Sequence, residues 1–196
     1  MSKAERTRQF IIEKTAPIFN TKGYSGTSMS DIMEATGLSK GSIYGNFENK
    51  DEVAIAAFRF NIKKLIAIFD TEIDKQKTFK DKLLVYPRLY SDYYNLRVTT
   101  GGCPIINTAT EADDTHPVLK NKVERTILAW KDKLIALIEG GIASGEFKAK
   151  NIDLERTALY IIATIEGAIM IAKVTGNLSH LSSIMAAVSK TIEDLV

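Results

Sequence analysis

A single cysteine, Cys103, in a chain of 196 residues excludes an internal disulfide framework and any zinc site built on several thiolates. Histidine is almost as scarce: His116 and His180 stand far apart, with no metal-ligand spacing around either. Neither a metal nor a cofactor is therefore expected. Proline numbers only 4, strand-like alternation is nearly absent and no segment is of low complexity, so the pattern predicts an all-α protein. The opening MSKAERTRQF lacks the apolar core of a signal peptide, and the longest apolar run, Leu159 to Ala172, is short for a membrane span and contains Glu166. A cytoplasmic protein without a membrane partner is the expectation. A strong charge of either sign is missing too: 26 Lys and Arg oppose 24 Asp and Glu, a net of +2. Bulk charge thus says little about nucleic acid, and local pattern has to decide.

What is present is concentrated in residues 27 to 50, TSMSDIMEATGLSKGSIYGNFENK. Thr27 or Ser28 caps a first short helix, with Asp31 placed for a capping box and Ile32 and Met33 as its apolar inner edge. Gly37 falls where that helix must stop in a left-handed turn. Ser39 caps a second helix, about Lys40 to Phe47, which is too short to hold alone and turns Ile43 and Phe47 inward. The opposite side offers Lys40, Ser42, Tyr44 and Asn46, and Gly41 leaves room for close backbone approach. Asn49 followed by Glu52 starts a long third helix. Arg6, Arg8, Lys40 and Lys50 are positioned to reach the backbone of one DNA segment.

The stretch GLSKGSIYGNFENKDEV resembles the helix-turn-helix and following helix of TetR-family transcriptional repressors. Upstream, IIEKTAPIFNTKGYSGTSMSDI is similar to the family's first helix and its exit, and GEFKAKNIDLERTALYIIATIEGA downstream is similar to part of its ligand and dimer domain. The resemblance implies an N-terminal three-helix helix-turn-helix DNA-binding domain over 1–50 and a C-terminal helical effector-binding and dimerisation domain over 51–196. It further implies a homodimer that represses from a palindromic operator in double-stranded DNA, answers a small-molecule effector and catalyses nothing. DNA contacts then fall to Thr27, Ser28, Ser39, Lys40, Gly41, Ser42, Tyr44, Asn46 and Lys50. Two departures stand out. Met33 replaces a small inner-face residue, and Gly45 with Asn46 replaces a helical pair that often holds an aromatic phosphate contact. The glycine loosens the recognition helix by about 1 kcal/mol relative to alanine, so altered specificity is expected, not lost binding.

Helices are expected near 4–22, 28–36, 40–46, 50–74, 78–96, 104–114, 117–144, 153–175 and 178–195, with no flexible linker between head and body. In the body, Tyr86, Tyr90, Tyr93 and Arg97 follow one helix face, with Pro87 expected to kink or break that helix. They line either one wall of an effector pocket or an ordinary core face. GGCPIINTATEADDTHP, residues 101 to 117, puts Cys103 at a helix N-terminus, where a thiolate is favoured, with Asn107 four positions on. That segment resembles a stretch in TetR members that sense electrophiles or oxidants, and the alternative is a small buried hydrophobe. Glu111, Asp113 and Asp114 read as a solvated acidic face. Trp130 either packs in the core or faces the effector, and Gly140 with Gly141 marks close helix contact or adjustable backbone. The last helices are apolar most of the way round, and Leu178, Leu181, Ile184, Met185, Val188 and Ile192 form a stripe that reads as half of a four-helix dimer interface. Two competing classes remain: a thiol-dependent all-α enzyme, for which Cys103 lacks a base with any motif behind it, and an interaction module that never touches DNA.

Overall fold

The computed structural model describes residues 2–92, 99–148 and 152–196. Among them lie nine helices and no strand: α1 (Lys3–Gly26), α2 (Met29–Thr36), α3 (Lys40–Tyr44), α4 (Lys50–Asp74), α5 (Phe79–Ser91), α6 (Pro104–Thr115), α7 (Pro117–Ala143), α8 (Leu154–Thr175) and α9 (Leu178–Glu193). The chain packs as two compact units, Met1–Leu65 with Thr99–Val123, and Ile66–Val98 with Glu124–Val196. Helices α4 and α7 each contribute residues to both. This division by packing differs from the boundary at residue 50 expected from the sequence, because residues 51–65 and 99–123 pack with the first fifty.

In the first unit, caps and inward side chains set each element. Ser28 accepts from the Asp31 amide and Asp31 reaches back to the Ser28 amide, which starts α2; Gly37, at φ 67°, ends it. Ser39 accepts from the Ser42 amide to start α3, and Asn49 accepts from the Glu52 amide to start α4. Ile11, Ile32, Ile43, Phe47 and Val53 close the core, with Met33 partly buried against it. Helix α1 is kinked at Gly23, and it packs on α2 and α6.

In the second unit, α9 packs on α5 and α8. Pro87 does not break α5: the helix runs through it to Ser91, with Leu83, Val85, Tyr86, Pro87 and Tyr90 buried. Their burial outweighs one missing hydrogen bond. The expected continuation to residue 96 falls largely on residues 93–98, outside the described residues. Gly140 and Gly141 do mark close contact, since a Cβ at either would overlap the ring of Phe79 or Phe147. Leu181, Met185, Val188 and Ile192 are buried within the chain, so most of the stripe assigned to a dimer interface is used internally. Helix α8, at 22 residues, is long and apolar enough to cross a membrane by length and composition, which corrects the exclusion drawn from the shorter run Leu159–Ala172. Its buried face, Ala158, Ile161, Ile162, Ile165, Ala168, Ile169 and Ala172, is a helix-packing stripe.

Candidate nucleic-acid interface

Helix α3 shows its two sides plainly. Ile43 and Phe47 are buried, whereas Lys40, Gly41 and Tyr44 are exposed and Ser42 and Asn46 half-buried. The Lys40 ammonium lies 5.8 Å from the Tyr44 ring centroid, so cation and aromatic form one outward patch. The Asn46 side-chain amide donates to the Ser42 carbonyl at 2.9 Å, closing the end of the helix. A Cβ on Gly41 would meet nothing within 4 Å. Gly41→Ala is therefore expected to stabilise the free protein by about 0.5–1 kcal/mol and yet weaken DNA binding. Thermal melts and DNA titrations read the two effects, and undiminished affinity would mean that nothing approaches the backbone there.

Other sequence-picked residues are turned into the head. Thr27 is fully buried and donates to the Gly23 carbonyl at 2.6 Å, leaving the cap of α2 to Ser28. The Lys50 ammonium donates to the carbonyls of Tyr24 at 2.9 Å and Thr27 at 3.0 Å, 4.1 Å from the Tyr24 ring centroid. Carbonyls released where α1 kinks thus take a cation that sequence pattern pointed at phosphate. Arg8 is drawn in as well: its guanidinium sits 4.0 Å over the Phe47 ring, donates to the Asn46 carbonyl and pairs with Glu52 at 2.6 Å. The Glu48 amide and Arg8 hold the Glu52 carboxyl below the usual range. Lys22, at 2.6 Å, and Ser28 do the same for Asp31.

The 99–116 segment is bolted to α1 by side chains whose roles no local pattern showed. Asn20, 5% exposed, donates to the carbonyls of Thr100 at 2.6 Å and Gly102 at 2.8 Å. Asn107 answers by donating to the Asn20 carbonyl at 3.0 Å and the Gly101 carbonyl at 2.9 Å. Glu111, read as part of a solvated face, accepts from the amides of Tyr24 at 2.6 Å and Ser25 at 2.7 Å just past the α1 kink. Only Asp113 and Asp114 are exposed as expected. The Tyr24 hydroxyl donates to Asp51, and burial first, then that carboxylate, pushes its pKa up to about 12. Buried His116 meets the Tyr24 ring edge-on at 4.7 Å. Its Nδ1 accepts from the Leu119 amide at 3.2 Å, and its Nε2 lies 3.8 Å from the Asp51 carboxylate. A cavity of about 430 Å³, counting its open mouth, is lined by Phe19, Tyr24, Phe58, Thr108 and His116 among others, and by none of the residues picked as effector contacts.

Those picked residues divide. Tyr86, Tyr90 and Trp130 do come together with Phe69, at ring separations of 5.0 to 6.0 Å. Tyr86 and Tyr90 are buried at 4% and 2% exposure, so in this conformation the rings fill their own space. Burial, and then the Asp70 charge, push the Tyr86 phenol far up. The Trp130 Nε1–H is buried with no acceptor among the described residues. Cys103 and Asn107 belong to the other compact unit. Cys103 stands at the α6 N-cap, as its spacing predicted, with Pro104 following, but it is fully buried. Tyr93 and Arg97 lie outside the described residues.

Known proteins share this arrangement. Residues 11–57 match the family described as "Bacterial regulatory proteins, tetR family", and residues 80–188 match "Tetracyclin repressor-like, C-terminal domain". The crystal structure of a TetR-family transcriptional regulator from Cytophaga hutchinsonii is 45% identical, covers 100% of this chain and 97% of its own, and superposes with a TM-score of 0.95. A TetR transcriptional regulator from Chloroflexus aurantiacus is 37% identical over 100% of this chain and 98% of its own, at a TM-score of 0.94. The HTH-type transcriptional repressor DhaR of Mycobacterium sp. (strain GP1) is 26% identical over 189 residues, 94% of this chain and 91% of its own. A helix-turn-helix head with α3 exposed, joined to a helical C-terminal region, places this chain in the TetR family of DNA-binding transcriptional regulators, which are not enzymes.

Proposed function

We propose that this regulator is a cytoplasmic homodimeric repressor of a palindromic operator, released by a small molecule. The observation that carries the reading is the outward row of α3: Lys40 and Tyr44 exposed, Ser42 and Asn46 beside them, and open space over Gly41. Lys40 and Tyr44 supply phosphate contacts, Ser42 contributes to base choice, and exposed Ser28 and Ser39 sit at helix N-termini where phosphates are favoured. Lys50 and Thr27 support that surface from beneath. In functional terms residues 1–50 read DNA and residues 51–196 sense and dimerise, with the 99–123 segment coupling the two.

Dimerisation is supported by α8. Tyr160, Met170, Ile171 and Val174 are 48, 48, 38 and 80% exposed, and Gly167, between them on the same stripe, has open space around it. With Leu178 at 47%, they form an apolar surface suited to a second copy. Two recognition helices related by a two-fold meet successive major grooves about 34 Å apart, hence the palindrome. The effector is placed at Tyr86, Tyr90 and Trp130, where the unpaired indole N–H invites an acceptor; leaving it unpaired costs about 1–3 kcal/mol. Modification of Cys103 is a second route to release, and its burial means the loop before α6 must open first. Operator selection from random duplex DNA at physiological salt tests the proposal. Enrichment of a palindrome supports it, non-palindromic sites speak against the dimer, and no enrichment rejects the assignment of α3. Repeating the selection with a thiol-reactive electrophile, with Cys103→Ser as control, separates the two release routes.

A further inference from the structure

We infer that Arg8 is a positioning residue for the DNA-reading helix, holding the exit of α3 in place from α1. The inference rests on the reading of α3 as the recognition helix. Helix α3 has five residues, too few to persist without outside support, and its exit runs through Gly45 and Asn46, a pair with little intrinsic hold on helical geometry. Ser39 secures the start. Arg8 secures the end through three contacts at once: one nitrogen donates to the Asn46 carbonyl, the guanidinium face covers the Phe47 ring at 4.0 Å, and the other nitrogen pairs with Glu52 at 2.6 Å. The second oxygen of Glu52 accepts from the Glu48 amide at 2.8 Å. One ion pair therefore grips residues 46 to 48 from both sides, and aims Ser42 and Tyr44 as it does so. A planar fork of donors with a stacking face suits this task, whereas an ammonium makes only part of the set. With two directions of the fork used inside the head, Arg8 acts on DNA through α3 and not as a phosphate ligand.

Full-length Arg8→Met, Arg8→Lys and Glu52→Gln variants, with Lys40→Ala and Ser42→Ala for comparison, are titrated against the selected operator and a scrambled duplex over a range of salt. Arg8→Met is expected to lower operator affinity about tenfold, to leave scrambled-duplex affinity within about twofold, and to keep the slope of log affinity against log salt unchanged. Glu52→Gln removes a negative charge and is nevertheless expected to weaken operator binding in the same way, by about threefold or more. Arg8→Lys falls between wild type and Arg8→Met. A salt slope reduced by about 0.9, with both DNAs losing affinity together, would make Arg8 a phosphate contact and overturn the inference, as would no effect at all. Should Arg8→Met lose its helical circular dichroism, Arg8→Lys and Glu52→Gln decide by the same readings. If Lys40→Ala and Ser42→Ala leave both DNAs unaffected, the recognition-helix reading itself fails and the positioning role falls with it. Should those two weaken binding while Arg8→Met lowers the slope, only the Arg8 inference fails.

Discussion

Gly23→Ala is expected to cost about 3–4 kcal/mol of stability, the larger part of a typical domain's margin. Two separate terms add. Gly23 sits at φ 75°, ψ 179°, a region open essentially to glycine alone, where a side chain costs about 1–3 kcal/mol. An added Cβ would also overlap the Glu111 carboxylate, the far end of a flexible side chain, and moving it aside gives up its charge-assisted bonds to two backbone amides, about 1–3 kcal/mol. That carboxylate is not idle, since it accepts from the Tyr24 and Ser25 amides just past the kink. Denaturant unfolding of Gly23→Ala, Glu111→Ala and the double variant separates the terms. Removing the Glu111 side chain relieves the crowding but not the backbone strain, so the double variant is expected to lose less than the sum of the singles. Strict additivity would show that the carboxylate does not occupy the kink. DNA binding follows the same path, because the Tyr24 and Thr27 carbonyls that receive Lys50 lie just beyond Gly23.

The contrast between what was and was not legible beforehand follows sequence separation. Ser28 with Asp31, Gly37, and Ser39 with Ser42 are features in which cap and backbone lie within three or four residues, so pattern alone located α2 and α3. The inward Ile43 and Phe47 were legible for the same reason. Arg8 gripping Asn46, Glu111 taking the Tyr24 amide, and Asn107 donating to Asn20 span 38, 87 and 87 residues, and helical periodicity carries nothing across such distances. A cation near a DNA-reading element is assigned to phosphate by default, yet Arg8 and Lys50 find acceptors within the head, in the carbonyls just past α3 and just past the kink of α1. The break that Pro87 allows does not occur, because its penalty is local whereas the burial of α5 around it is collective. Tyr86 and Tyr90 do share a face of α5, but whether that face holds a ligand or fills itself depends on Phe69 and Trp130 from other helices.

Asn20→Ala is expected to be nearly as costly, about 2–4 kcal/mol, and to expose the thiol. Its amide is the donor that ties Thr100 and Gly102 to α1; without it the half-buried bond to the Thr100 carbonyl is lost, whereas the Gly102 carbonyl keeps the Thr99 hydroxyl at 2.8 Å. A loop that opens locally does so against an opening free energy that sets its open population, and every 1.4 kcal/mol removed from it raises that population tenfold. Cys103, fully buried one residue beyond Gly102, reports that opening directly. The wild-type thiol should react with an aromatic disulfide reagent far more slowly than the same thiol in unfolded protein, and Asn20→Ala should speed the reaction by roughly a hundredfold if the whole loss falls on this loop. Wild-type reactivity equal to that of the unfolded chain would remove the barrier and make direct thiol sensing the simpler route to release. Slow reaction in both proteins, despite a measured loss of stability, would mean that the thiol is shielded by α6 itself. An electrophile would then reach Cys103 only by undoing the contacts of α6 with α1, the same contacts that fix the end of the head helix.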